Sequence, residues 1–111
     1  MLTRTPRFRE RVFTEAERAY CDSRGAAASA QHYAARFAAK EAAFKALRTG
    51  WRDGLSWHHA EVASDEAGAP LLLLSGHART LFERLGATHA HLSLSHTAEH
   101  AVAQVIFERR Q

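Results

Sequence analysis

Apolar positions recur along the chain in two rhythms, and each predicts its own kind of element. Across residues 29–48, Tyr33, Phe37, Phe44 and Leu47 follow at spacings of four, seven and three, one stripe of an α-helix. Alanine fills much of the rest, which allows close packing against a neighbouring element. Ser29 is the expected N-cap and Gly50 the expected stop. A shorter helix is predicted from Thr14 to about residue 21. There Thr14 and Glu17 have capping-box spacing, so each side chain can satisfy the other's backbone amide. Gly25 and the alanines after it read as a weakly determined link.

The second half of the chain changes rhythm. Residues 55–63 read as a strand, residues 65–70 are turn chemistry, and the four leucines at 71–74 return as a second strand. Ser75 is placed to cap a short third helix ending near Gly86. Residues 90–95 alternate, with His91, Ser93 and Ser95 on one face and Leu92 and Leu94 on the other. Residues 101–108 form a further strand, and the polar stretch 96–100 between them implies an antiparallel hairpin. The elements predict an α+β fold, helices packed on a small antiparallel sheet.

With 111 residues, one domain spanning 1–111 is expected, and a hydrophobic fraction of 46% argues against disorder. No apolar run approaches the roughly 20 residues of a membrane span, so no membrane partner is expected. The basic N-terminus lacks the apolar stretch of a secretory signal. The single cysteine, Cys21, excludes an internal disulfide and fits a cytoplasmic location. No motif surrounds it, so it reads as a small helix residue and not as a nucleophile.

The formal charge of +3 points to an acidic partner, whether nucleic acid, a phosphorylated small molecule or an acidic protein. The charge is front-loaded: Arg4, Arg7, Arg9, Arg11, Arg18 and Arg24 precede the long helix and interleave with Phe8, Val12 and Phe13. That pattern suits either a solvated face or a docking surface.

Candidate chemistry gathers on the long helix. Glu41 and Lys45 stand four apart and share a face, as do Arg36 and Lys40. One reading is an exposed ion pair that supports the helix. The other is a carboxylate holding a hard divalent cation beside cations that hold phosphate oxygens, an arrangement magnesium favours. His96 and His100, and likewise His89 and His91, have metal-like spacing, but no cysteine pair or His-Glu-x-x-His accompanies them. His58, His59, His77 and His100 therefore read as solvated or structural, and Trp51 and Trp57 as packing residues.

Arg36-Phe37-Ala38-Ala39-Lys40-Glu41-Ala42, followed by Lys45-Ala46 and Thr49-Gly50, closely resembles the signature helix of the acyl-carrier-protein synthases, small phosphopantetheinyl transferases. Phe13-Thr14-x-x-Glu17-x-x-Tyr20 is similar to that family's upstream helix. Glu61-Val62, Gly68-x-Pro70 and Leu72-x-Leu74-x-Gly76-x-Ala78 are similar to its middle hairpin and third helix. Ser93-Leu94-Ser95-His96 and Ala101-Val102-Ala103-x-Val105-Ile106-x-Glu108 are similar to its closing strands. The segments lie in register from about residue 8 to residue 108.

The resemblance implies a 4′-phosphopantetheinyl transferase fold. It also implies transfer of the 4′-phosphopantetheine arm from coenzyme A to a carrier-protein serine, with magnesium on the pyrophosphate and 3′,5′-ADP leaving. Carried over residue by residue, Glu41 is a metal ligand and catalytic group, and Lys45 contacts the transferred phosphate. Arg36, Lys40, Ser95 and His96 lie near the nucleotide, and Thr49 and Gly50 let the backbone approach the phosphates. The acidic helical bundle of an acyl-carrier protein is expected to dock on Arg11 and Arg18, and the family's size class implies a homotrimer.

Two departures from the family pattern stand out. The family opens with a strand carrying Gly-x-Asp, whose aspartate is a second metal ligand, whereas Met1-Leu2-Thr3-Arg4-Thr5-Pro6 contains no aspartate. A start assigned too late, a diverged enzyme and an inactive relative each account for that difference. Arg48 stands where the family has glycine before Thr-Gly. Two other classes are set against the transferase: a non-catalytic relative that binds carrier protein or coenzyme A, and a small basic nucleic-acid-binding domain. The second explains the charge but not Glu41 within a phosphate-binding helix, and the chain carries no nucleic-acid motif.

Overall fold

The structure, a computed structural model, describes residues 6–48, 54–97 and 99–111. The first described element is α1 (Pro6–Val12), which the sequence pattern did not predict. Proline is tolerated in the first turn of a helix, where its missing N–H has no intrahelical acceptor to lose. α2 (Glu15–Asp22) starts as expected: Thr14 Oγ1 accepts from the Glu17 amide, and Glu17 Oε1 accepts from the Thr14 amide.

The long helix, α3 (Ala26–Ala46), begins three residues before the expected cap. Gly25, at φ 91°, is the N-cap in place of Ser29. Its conformation, open to glycine, turns the chain directly out of α2. The Ser29 amide already donates to the Gly25 carbonyl at 2.9 Å, so Ser29 lies inside the helix. Tyr33, Phe44 and Leu47 of the apolar stripe are buried, and Phe37 is half-buried. Between them Ala35, Ala39 and Ala43, four apart, are buried too, which brings the helix axis close to the strand it crosses, β4 (Ala101–Glu108).

The strand expected over 55–63 is shorter. Residues 57–59 form a turn of 3₁₀ helix, and β1 (Ala60–Ser64) starts only after it. The polar side chains divert the backbone: Ser56 Oγ accepts from the His58 amide, and His59 Nδ1 accepts from the Ser56 amide, both at 3.2 Å. β1 pairs antiparallel with β2 (Pro70–Leu74), Val62 opposite Leu72. Asp65 Oδ1 closes the turn by accepting from the Ala67 and Ala69 amides, both at 2.9 Å. α4 (Gly76–Arg84) follows, and then β3 (His89–His96) pairs antiparallel with β4, Leu92 opposite Val105.

Among the described residues the hydrogen-bonded strands make two two-stranded ladders, with β2 lying beside β3. The α+β class holds, as helices packed on small antiparallel sheets. Two buried clusters result. One joins Phe44 and Leu47 of α3 to Ala60, Ala78 and Phe82, with Phe107 edge-on to Phe82 at 5.0 Å. The other joins Val12, Phe13, Cys21 and Tyr33, and locks α1 and α2 against α3. The opposite strand faces carry His91, Ser93 and Ser95, together with exposed Leu71, Leu73, Val102 and Ile106. Among the described residues no helix is long and apolar enough to cross a membrane.

Candidate functional site

α3 carries the candidate chemistry, and its setting begins with a buried ion pair. Lys40 Nζ lies 2.8 Å from Glu17 Oε1, with neither side chain exposed. Lys40 also donates to the Trp57 carbonyl at 3.1 Å and the Ala60 carbonyl at 2.6 Å, while Glu17 Oε2 accepts from the Val62 amide at 2.7 Å. Burial pushes the Lys40 ammonium below its ordinary range, and the Glu17 charge and hydrogen bond work against that. The expectation of a nucleotide contact at Lys40 is therefore corrected: its donors are spent inside the fold.

The next residue faces the other way. Glu41 and Lys45 are both exposed and one turn apart on α3. Arg48 follows the C-cap Leu47 at φ 59°, a left-handed conformation that favours glycine. That backbone accounts for the glycine of the family pattern at this position. Thr49, Gly50 and Trp51, like Met1 to Thr5, lie outside the described residues.

Five residues before Glu41, about 1.4 turns of helix, Arg36 is only 4% exposed, and its Nε has no hydrogen-bond partner among the described residues. Its guanidinium stacks on the Tyr20 ring at 4.2 Å, which holds the group without neutralising it. Arg36, Tyr20, His32 and His96 line one cavity of about 190 Å³, walled on the β1–β2 side by Ser64 and Pro70. The His32 ring meets the Tyr20 ring at 5.5 Å and the His96 ring at 5.3 Å. Burial, reinforced by Arg36, His96 and Arg24, holds the His32 imidazole below its ordinary range.

Arg36 and His96 line the same cavity. Ser95 does not: by strand alternation it faces the opposite side of β3 from His96, opposite Val102 and exposed. Tyr20 and His32 were missed as site residues. His32 stands four before Arg36 on the helix, and that spacing was the available signal.

The docking candidates Arg11 and Arg18 sit on neighbouring helices, Arg11 exposed and Arg18 donating through Nε to the Phe13 carbonyl at 3.3 Å. Arg9 bridges α1 to α2 through Asp22 at 3.8 Å, and a shallow hollow of about 140 Å³ joins Arg9, Arg18 and Asp22. The paired histidines go to separate partners: His91 to Glu108 at 2.8 Å, His96 to His32. Among the described residues no group of three His, Cys, Asp or Glu could hold a metal ion.

The fold and site together define an α+β domain in which one helix carries a buried guanidinium, whose Nε has no hydrogen-bond partner among the described residues, and an exposed carboxylate and lysine. The family model of the 4′-phosphopantetheinyl transferase superfamily matches residues 1–105, and the chain belongs to that superfamily. The holo-[acyl-carrier-protein] synthase of Trichlorobacter lovleyi is 57% identical over 98 residues, 88% of this chain and 76% of the relative. A holo-(acyl-carrier-protein) synthase from Bacillus anthracis, solved in complex with CoA (3′,5′-ADP), superposes with a TM-score of 0.76 at 38% identity, covering 94% of this chain and 82% of that one. The enzyme of Neisseria meningitidis gives a TM-score of 0.80 at 29% identity over 94% and 82% of the two chains. The chain is accordingly a transferase of the holo-[acyl-carrier-protein] synthase kind, and the resemblance read from residues 36–50 is shown.

Proposed function

We propose that the chain transfers 4′-phosphopantetheine from coenzyme A to a serine of an apo acyl-carrier protein, with magnesium, and releases 3′,5′-ADP. The observation that carries this reading is the buried Nε of Arg36, unpartnered among the described residues and lining a cavity, on the same helix as exposed Glu41 and Lys45. A buried guanidinium nitrogen without a partner among the described residues suits an anion, and the relative from Bacillus anthracis was solved in complex with CoA (3′,5′-ADP).

The donor chemistry fits magnesium through one protein carboxylate. Glu41 is exposed beside Lys45, and magnesium commonly takes one or two carboxylates and completes its shell from water and substrate phosphates. When bound, the ion neutralises charge on the diphosphate and orients an in-line displacement.

Glu41 would hold such an ion, and a water it orders would accept the serine proton. The serine oxygen bonds to the β-phosphorus, and the bond from that phosphorus to the 3′,5′-ADP oxygen breaks, its electron pair leaving with the nucleotide. Lys45 meets oxygens of the transferred phosphate, with Thr49 and Gly50 contributing backbone contacts. Arg36 and His96 hold the nucleotide end. Arg11 and Arg18 receive the acidic carrier, the working assembly is a homotrimer, and the location is cytoplasmic. Support for assembly comes from Val102 and Ile106, large apolar side chains exposed on the outer face of β4.

The test is chromatography of nucleotides after incubation with coenzyme A, an apo-carrier and magnesium. Equimolar release of 3′,5′-ADP and modified carrier, stopped by a chelator, is the expected result. Release that needs no carrier, or that persists with all divalent metal removed, would contradict the reading.

A further inference from the structure

The 3₁₀ turn at 57–59 is closed by a side chain of the one type that ordinarily titrates near neutrality. The Ser56 amide donates to His59 Nδ1 at 3.2 Å. A backbone N–H can only donate, so this nitrogen carries no proton and the ring is the neutral Nε2–H form. The far edge of the ring is shut in by the start of α4. A Cβ on Gly76 would stand 2.5 Å from His59 Nε2, and the Ser75 amide donates to the His59 carbonyl at 2.9 Å. A proton on Nδ1 would set donor against donor, with Gly76 leaving the ring little room to turn over.

The same turn seats the end of α1. His58 Nε2 donates to the Glu10 carbonyl at 2.8 Å, one residue before exposed Arg11. Trp57 extends the seat: its carbonyl accepts from Lys40 at 3.1 Å, and its ring packs on Phe37 at 5.2 Å. His58 can hold Glu10 whether or not it is charged, because a carbonyl asks only for a donor. His59 is therefore the acid-labile part of the seat.

The titratable groups acting on His59 are His77 from α4 and His58 beside it in the turn. α1 meets the turn through the Glu10 carbonyl, and Glu61 of β1 acts on Lys40, whose ammonium is paired with Glu17. Burial and the two imidazoles hold the His59 ring below its ordinary range, in agreement with the hydrogen bond. The closed turn holds no proton on Nδ1 and the opened turn binds one, so acid favours opening. We propose that His59 is a positioning residue for carrier recognition: its neutral ring closes the turn that seats Arg11, and its protonation loosens that seat. The inference rests on the proposed docking of an acidic carrier at Arg11 and deepens it.

The experiment measures KM for an apo acyl-carrier protein and for coenzyme A from pH 7.5 to pH 5, with the whole chain, His59→Asn and His59→Leu. Asparagine Oδ1 stands where Nδ1 does and accepts at every pH, whereas leucine never accepts. Dividing the wild-type KM by that of His59→Asn cancels titration of the carrier itself. For the carrier this ratio is expected to rise by about fourfold or more toward pH 5, each pH unit adding at most tenfold. For coenzyme A the ratio should stay level. His59→Leu should show a raised carrier KM already at pH 7.5, and nitrogen NMR should find Nδ1 of wild-type His59 unprotonated there. A level carrier ratio, an equal rise for coenzyme A, or a proton on Nδ1 at pH 7.5 would overturn the role of His59 alone. A folded wild type that leaves the carrier unmodified at pH 7.5 would overturn the proposed function and this inference with it.

Discussion

Glu17 and Lys40 meet at 2.8 Å with both side chains fully shielded from solvent. Their remaining hydrogen bonds reach the Thr14 and Val62 amides and the Trp57 and Ala60 carbonyls, so one ion pair ties α2 and α3 to the 3₁₀ turn and β1. A buried charge is tolerable only when paired and hydrogen-bonded, and both conditions are met here. The pair also fixes the roll of α3: with Lys40 anchored inward, Glu41 next to it is presented outward.

Breaking one half of this pair is expected to be costly. Lys40→Met strands the Glu17 carboxylate, and urea unfolding should show a loss of about 3–5 kcal/mol. The double variant Glu17→Met/Lys40→Met should recover much of that loss, because no uncompensated charge is left. A double variant as unstable as the single one would mean that the backbone hydrogen bonds, and not the charges, dominate.

Cys21 gives the fold an alkaline limit. Burial raises its thiol from 9.0 to about 11, with Arg36 opposing and Glu17 and Asp22 adding to the rise. The folded pKa exceeds the unfolded one, so the stabilisation is complete below pH 9 and is lost as pH climbs toward 11. Between pH 8 and pH 10.5 the thiol should cost about 2 kcal/mol of stability, and Cys21→Ala should remove that part of the decline. Equal slopes for the two proteins in urea unfolding against pH would contradict it.

Arg48 sits in a left-handed conformation at the residue after the C-cap of α3. Arg48→Gly should raise the free energy of unfolding by about 1 kcal/mol, the relief of backbone strain less the greater chain entropy of glycine. A thermal midpoint that falls would show the arginine side chain contributing more than its backbone costs.

The basic helix pair should govern carrier recognition alone. Arg11→Glu and Arg18→Glu are expected to raise KM for an acidic carrier by about tenfold or more at low salt, with KM for coenzyme A unchanged. The penalty should shrink as ionic strength rises and screens the surface. A change in the coenzyme A constant instead would place these arginines at the nucleotide.

Much of this architecture could be read from local rules, because those rules concern neighbours in sequence. The Thr14–Glu17 capping box, the alternation through Leu92 and Leu94, and the strand at 101–108 all follow from contacts within a few residues. The first helix was missed because Phe8 and Val12 alone mark its apolar face among arginines and a glutamate. The inward turn of Lys40 could not be read either. A lysine next to Glu41 looks solvated until Glu17, 23 residues earlier, is folded against it. The Arg36 cavity likewise exists only when β3 brings His96 to α3. Tertiary proximity, not composition, makes both features.

The most direct measurement of the central claim is intact-mass spectrometry of a purified apo acyl-carrier protein after incubation with this chain, coenzyme A and magnesium. Glu41→Ala and a chelated control run beside it, each checked for an unchanged thermal midpoint. The expected result is a gain of one phosphopantetheine mass on the carrier serine with the wild-type chain and none in either control. A folded wild-type chain that leaves the carrier mass unchanged, or a Glu41→Ala chain that modifies it at the wild-type rate, would contradict the account.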